Sequence, residues 1–448
     1  MSMTNDRQDL VTVMAVPTDP SRIDVDGHAG WLTAAQVAEL LGVKRATVYA
    51  YVSRGLLHRR LALDGRTSLF DRNEVEGMRS GRRSTPPGEL RAVLASGITR
   101  VAEDSILIRG RSLTAAVEGG IRFTQIADLI WGGDNTDLWA DLFGSAPSAA
   151  ETGGSPPTGP SDLLAAAGDK LSPLDRLRLA VIVAANADPL RHDLSAPVVR
   201  RTGPRLIKAM IEGLPSVDPG GREFPDHNDW PVAGALWARL STTTPSVAKL
   251  HCLDAALALL ADHGLAASTF ACRVAASTRA DPYAVVGTGL GVVSGPLHGA
   301  ASSAVHDVLA RLADHDDPLA DHDDPLVATT DKSSSGQGLP GFGHSIYRRQ
   351  DPRFAVMSRL VNEAWNGDRR LMLVERYHRA ATERTDAPAN VDLVLGALTL
   401  LADMSPQAGE IIFAVARTSG WLGHAIEEYG ERPLRIRPKA QYTGPMTG

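Results

Sequence analysis

From Ser161 to Leu290 apolar residues recur at helical spacing almost without a break, punctuated by proline and glycine. Inside that run, Leu250 to Leu260 is apolar enough to be a core helix. Alanine and leucine dominate many segments while aromatic residues make up only 5%, which favours helix over strand. The expected fold class is mainly α, and 448 residues suggest two or three domains.

With 43% hydrophobic and 22% charged residues the composition is that of a soluble globular protein. Met1 to Leu10 has no apolar signal core and no later run of about 18 apolar residues occurs, so a cytoplasmic protein without membrane contact is expected. Cys252 and Cys272 are the only cysteines, without ligand-like spacing to histidines, so neither a disulfide framework nor a metal site is suggested. An exact tandem repeat over 313–326, rich in His and Asp, reads as a duplicated solvated loop.

The formal charge of -6 is unevenly spread. Trp31 to Arg83 carries ten Lys/Arg against five Asp/Glu, a net +5, which leaves -11 for the rest. A basic front on an acidic body hints at two kinds of partner. Residues 1–30 read as a flexible tail. A short amphipathic helix follows from Trp31 to Leu41, capped by Thr33, then a Gly42-Val43 turn and a second helix from Lys44 to Arg54 with Val48 and Val52 inward. This pattern resembles the helix-turn-helix of excisionase-like and MerR-like winged domains, with a wing over 56–70 and a closing helix announced by Asp71 and Glu74. In such folds the second helix enters the major groove of duplex DNA, which makes Lys44, Arg45, Thr47, Tyr51 and Arg54 the candidate contacts. A helix-turn-helix kept only as a structural or protein-binding appendage is the alternative.

Past a basic, proline-containing linker at 79–87, residues 97–113 alternate enough for one or two short strands. A helix is expected over Arg122 to Trp131, and 144–161 reads as a flexible loop.

Three places carry the chemistry. Gly341-Phe342-Gly343-His344 allows a tight bend and close approach to a ligand, and His344 is expected at a helix N-terminus, where the dipole keeps an imidazole neutral. Gly295-Pro296-Leu297-His298-Gly299 sets a second histidine beside a helix start, and Asn390-Val391-Asp392 opens a helix with an acid in its first turn. For Asp392 helix-dipole stabilisation alone is a sufficient explanation, and His263 after the core helix reads by itself as a capping group. Together, two neutral imidazoles and one carboxylate can perform enolisation, while Arg353, Arg417 and Arg437 suit a substrate with two carboxylates.

These blocks, with Asp351-Pro352-Arg353 and the run from Arg437 to Gly444, resemble the signature blocks of the citrate synthase family in the family's order, over roughly residues 90 to 448. The resemblance implies a helical homodimer closing over oxaloacetate, with 84–298 and 391–448 forming a large domain, 299–390 a small one, and 31–83 an added helix-turn-helix domain. It implies Asp392 as the base toward acetyl-CoA, His298 at the thioester oxygen and His344 at the ketone. His263, Arg353 and Arg417 would bind oxaloacetate, Arg437 would reach from the partner subunit, and Arg348 would contact CoA. No cofactor is implied. Two alternatives stay open: a 2-methylcitrate synthase using propionyl-CoA, and a DNA-binding regulator that uses the enzyme body as a metabolite sensor. The chain departs from the family at Gly264 and Ala266 after His263, at Ala300 to Ser302, and at Ile108, and Ala266 is expected to weaken a hydrogen bond near the oxaloacetate pocket.

Overall fold

A computed structural model of the chain describes residues 31–53, 57, 59–61, 67–79, 93–143, 171–217, 229–295, 298–299, 301–313, 326 and 338–438. The loop expected over 144–161, nearly all of the tandem repeat, most of the wing, Arg54, and the block after Pro438 lie outside them. The chain divides into two compact units, Met1–Ala95 with Tyr442–Gly448, and Ser96–Gln441.

In the first unit, β1 (Trp31–Thr33), β2 (Arg60–Leu61) and β3 (Ser68–Asp71) form an antiparallel sheet in the order β1-β3-β2, alongside helices α1 (Ala34–Leu41), α2 (Arg45–Ser53) and α3 (Arg72–Arg79). Thr33 and Gln36 make a reciprocal capping box at the start of α1, and Gly42 ends the helix in the left-handed conformation that lets the chain turn at once into α2. Leu32, Val37, Val48, Leu57, Phe70 and Val75 close the core. Lys44 and Arg45 are exposed and Thr47 is half-buried. Tyr51 packs against the core, so the exposed aromatic on α2 is Tyr49.

The second unit opens with the antiparallel strands β4 (Thr99–Val101), β5 (Ile106–Ile108) and β6 (Arg111–Ser112) and is helical thereafter. Its helices are α4 (Leu113–Glu118), α5 (Phe123–Trp131), α6 (Thr136–Phe143), α7 (Pro173–Ala187), α8 (Ala196–Glu212), α9 (Pro231–Leu240), α10 (Val247–Leu260), α11 (Ala267–Ser277), α12 (Pro282–Val293), α13 (Ala301–Ala313), α14 (Pro352–Ala364), α15 (Arg369–Arg384), α16 (Val391–Leu401) and α17 (Ala408–Gly430). Short polar side chains start many of them: Ser172, Ser246, Asp281, Asp351, Asp368 and Asn390 each accept a backbone N–H of the first turn. As expected of a core helix, α10 is enclosed, with every residue from Cys252 to Leu260 buried.

Two apolar clusters divide this unit. The larger joins α4 to α12 with α14, α16 and α17, and the smaller joins Val305, Val308 and Leu309 of α13 to Tyr377 and Ala381 of α15. Helix α16 serves both, with Val391, Val394 and Leu398 in the larger cluster and Leu393 and Ala397 in the smaller. Whatever binds near the start of α16 therefore touches the seam between two cores.

Candidate active site

Four chain segments converge beside α17. The first is the turn after α10. Two residues of α17 hold it: Arg417 Nε donates to the Leu260 carbonyl at 2.9 Å, and the Gly420 N–H donates to the Ala261 carbonyl at 3.0 Å. Any side chain at Gly420 would collide with Asp262 Oδ1 and the Ala261 carbonyl. This close grip fixes His263, which is not the capping group that its position after a helix suggests. Its Nε2 lies 2.8 Å from the Tyr347 hydroxyl, and its ring meets His344 edge-on at 5.3 Å.

The second segment is Gly341-Phe342-Gly343. Both glycines have positive φ, 80° and 89°, a region in which other residues are strained. The bend lets the loop pair with the strand-like stretch before α16: Phe342 bridges Ala389, the Gly343 N–H donates to the Pro388 carbonyl, and Asn390 donates through Nδ2 to the Gly343 carbonyl at 2.7 Å. His344 and Asp392 are thus carried on two segments bonded to each other. His344 does not begin a helix, because α14 starts only at Pro352. A tight turn does the same work, with the N–H groups of Ile346 and Tyr347 aimed at His344 Nδ1 from 3.1 and 3.2 Å. Nδ1 accepts, so the proton resides on Nε2.

Third comes the pair of helix starts. Asp351 caps α14 and binds Arg353 in a fully buried, two-pronged ion pair, Nε to Oδ1 at 3.0 Å and Nη2 to Oδ2 at 2.7 Å. The same carboxylate accepts the N–H of Val391, which ties α14 to the start of α16 and hence to Asp392. Asn390 caps α16 by accepting the Asp392 N–H at 2.9 Å.

The fourth segment is the turn before α13. His298 Nε2 sits 2.9 Å from the Ser268 hydroxyl and 3.4 Å from the Ser268 backbone nitrogen, which points its hydrogen at the ring. Nε2 is therefore the acceptor and the proton lies on Nδ1. The ring leans edge-on against Phe413, over whose face Arg417 is stacked at 4.8 Å.

Electrostatics sort these groups by role. Burial, then the positive charges of Arg353 and Arg417, holds the His263 pKa far below the ordinary histidine value. Burial and Arg417 lower that of His298, and burial and Arg353 lower that of His344 against the opposing Asp351. All three are neutral rings near pH 7. Asp392 has one edge open while its carboxyl is crowded by protein, and this desolvation raises its pKa to about 6 despite Arg353. Burial brings Arg417 down to about 10, still a cation at neutral pH. Arg417 is 1% exposed and its Nη1 has no hydrogen-bond partner among the described residues. A buried guanidinium with an idle donor is costly unless something negative arrives to meet it.

Of the residues singled out in the sequence, His263, His298, His344, Arg353, Asp392 and Arg417 belong to this connected group. Arg348 and Arg437 are exposed and stand apart from its hydrogen bonds. Sequence reasoning assigned no role to Tyr347, although it is fully buried between His263 and Arg353 and stacks on His344 at 4.5 Å. Its place three residues after His344, inside the glycine-histidine stretch, was the available signal. Ser268, the partner of His298, was not singled out in the sequence.

Residues 89–439 match the family described as citrate synthase, C-terminal domain. The chain belongs to the citrate synthase family. Residues 31–83 match a helix-turn-helix domain, an addition ahead of that body. Citrate synthase 2 of Bacillus subtilis (strain 168) is 28% identical over 283 residues, covering 62% of this chain and 74% of its own. The 2-methylcitrate synthase 1 of Corynebacterium glutamicum is 29% identical over 283 residues, covering 61% and 72%. Among solved structures, the citrate synthase of Thermoplasma acidophilum, in ternary complex with carboxymethyl coenzyme A and oxaloacetate, has the same fold at a TM-score of 0.62 and 19% identity, covering 80% of this chain and 95% of that one. As a family member the protein is a transferase-type condensing enzyme, and citrate synthases need no cofactor, coenzyme A being part of the substrate. Among the described residues no helix is long and apolar enough to cross a membrane.

Proposed function

We propose that this member condenses acetyl-CoA with oxaloacetate and water to give citrate and free CoA. The observation that carries the reading is the buried Arg417 with its idle Nη1, close enough to Arg353, His263 and His298 for their charges to act on one another, with Asp392, a carboxyl of raised pKa, likewise beside Arg353. Oxaloacetate offers two carboxylates to the guanidiniums and one ketone oxygen to the Nε2–H of His344. Asp392, ionised above its pKa of about 6, takes a methyl proton from acetyl-CoA. The Nδ1–H of His298 holds the thioester oxygen as it becomes enolic. The new carbon then attacks the ketone carbon, His344 supplies the proton to the alkoxide, and water cleaves the citryl thioester. His263, held by Tyr347, lines the keto-acid side. In this reading Arg348 meets the CoA phosphates and Arg437 completes the site of a second subunit in a homodimer. Residues 299–390 form the lobe that closes, which the second apolar cluster supports.

Binding of oxaloacetate tests the arginine pair directly. Removing one member of a desolvated charge pair costs about 2 to 5 kcal/mol, roughly 30-fold or more in affinity. Titration calorimetry of Arg417→Gln is expected to show a loss of at least that size, and affinity like that of the unsubstituted protein would remove the carboxylate from this arginine.

The helix-turn-helix domain supports a second activity on duplex DNA, with the exposed Lys44 and Arg45 on phosphates. A dimer would present two such units, as palindromic sites require. For Lys44→Ala and Arg45→Ala the expected result is weaker binding to all sequences, with the slope of log K against log salt shallower by about 1 for each. An unchanged slope in both would take these side chains off the backbone.

A further inference from the structure

The turn that presents His263 is held by a chain of buried charges that the condensation itself does not use. Asp262 is completely enclosed. Its Oδ2 accepts from the Gly264 N–H at 3.0 Å, from the Thr99 hydroxyl, and from His424 Nε2 at 3.3 Å, while Oδ1 has no partner among the described residues. His424 is likewise enclosed, and Arg273 Nη1 lies 3.2 Å from its Nδ1. A guanidinium can only donate, so Nδ1 accepts and the proton of His424 is on Nε2, directed at Asp262. Arg273 in turn donates to Glu427 through the same Nη1 and to Glu428 through Nε, each at 2.9 Å. Glu428 is also gripped by Arg435, at 2.8 Å through both Nε and Nη2. His424 follows Gly420 at i+4 and Gly420 follows Arg417 at i+3, so all three lie on one face of α17. Each binds a successive residue of the turn: Arg417 holds Leu260, Gly420 holds Ala261, and His424 holds Asp262.

We propose that His424 is a positioning residue for His263, acting through Asp262, with Arg273 selecting the tautomer that makes this possible. The inference rests on the reading of His263 as a keto-acid ligand. The relay sets where the His263 ring stands against Tyr347, and so how well the keto acid is bound, without touching substrate. A histidine with its Nε2–H directed at Asp262 gives the carboxylate a donor that a merely apolar filler could not.

The test compares His424→Asn with His424→Gln in the full-length protein. The glutamine amide nitrogen reaches the position of Nε2 and keeps the donor to Asp262, whereas the asparagine amide stops near Nδ1 and loses it. Because this hydrogen bond is made to a charged, enclosed carboxylate, His424→Asn is expected to raise KM for oxaloacetate roughly 10-fold. Its kcat at saturation should stay within roughly 3-fold, because His424 makes no contact with the reacting atoms. His424→Gln should recover most of the lost KM. Unchanged KM in His424→Asn, or equal losses in both variants that follow their melting temperatures, would overturn the proposal. Should His424→Asn not fold, Thr99→Val removes another donor to the same oxygen; a raised KM with kcat kept supports the positioning, and an unaltered KM contradicts it. Histidine ring signals in NMR spectra separate this inference from the substrate assignment. A His263 signal displaced in His424→Asn and restored in His424→Gln supports positioning even if oxaloacetate is not the substrate, and an undisplaced signal refutes it.

Discussion

Asp392→Asn is expected to reduce release of CoA thiol by roughly 100- to 10,000-fold, the usual contribution of a placed general base, while leaving KM for oxaloacetate within a few-fold. The amide keeps the size and the helix start, because Asn390 accepts the backbone N–H of residue 392 and not its side chain. The same substitution should raise the melting temperature at pH 7 to 8. The sign follows from burial: the carboxyl has a pKa of about 6 in the folded chain against an ordinary 3.8. Between those values the folded state binds more protons than the unfolded state, so this group's contribution to stability falls as pH rises through the window. Above about 6 the full penalty of an ionised, crowded carboxylate is present, and asparagine does not carry it. Activity of the unsubstituted enzyme should rise with pH through about 6 and then level, as ionised Asp392 accumulates. A variant that is both less stable and nearly as active would make Asp392 a helix-start residue and nothing more.

Arg353→Ala carries the largest expected structural penalty. Asp351 is completely enclosed and both of its oxygens are occupied by this arginine. Burial alone would raise the Asp351 pKa, yet Arg353 and the backbone N–H groups of Arg353 and Val391 hold it below the ordinary carboxylate value. Truncating the arginine leaves an uncompensated buried charge, which costs about 3 to 5 kcal/mol. Because Asp351 also holds the N–H of Val391, the damage reaches the helix start that carries Asp392. The double variant Arg353→Met with Asp351→Leu separates the two roles. Replacing both charges by apolar groups of similar size should return part of the stability, since desolvation no longer opposes burial, but not all of it, because leucine cannot accept the N–H groups of Arg353 and Val391. Turnover should not return, because the guanidinium that meets a substrate carboxylate is gone. The ion pair also sets an acid limit: the stability it contributes at neutral pH is lost as pH falls below about 3.8 and through the depressed pKa of Asp351. Chemical denaturation at pH 7 and pH 3.5 reads this, and the double variant should show a weaker loss of stability between the two.

Local signals were strong wherever one segment decides its own structure. The apolar run of α10 pointed to a core helix, and the start of α16 followed from the capping asparagine. Glycines on both sides of Phe342 announced a bend that other residues would strain to make. The wrong element at His344 came from reading helical spacing across a turn: Asp351 and Pro352 form the true helix start, and a cap followed by proline outweighs the weaker periodicity before it. Partnerships between distant segments left no such trace. Nothing in the spacing of Asp262 and His424, or of Ser268 and His298, shows that each pair is in contact, because those contacts depend on how α17 and α11 pack around the core helix. Tyr347 lies between these cases. Its neighbours were recognised, but the burial that turns a tyrosine into a partner for His263 is a property of the assembled site.

The measurement that bears most directly on the central claim is steady-state CoA thiol release by the full-length protein, with oxaloacetate and either acetyl-CoA or propionyl-CoA. An apolar pocket separates donors differing by one methylene by about 1 to 3 kcal/mol, so turnover with acetyl-CoA is expected, at a kcat/KM roughly 10- to 200-fold above that with propionyl-CoA. A folded protein that binds oxaloacetate and releases thiol from neither donor would contradict it.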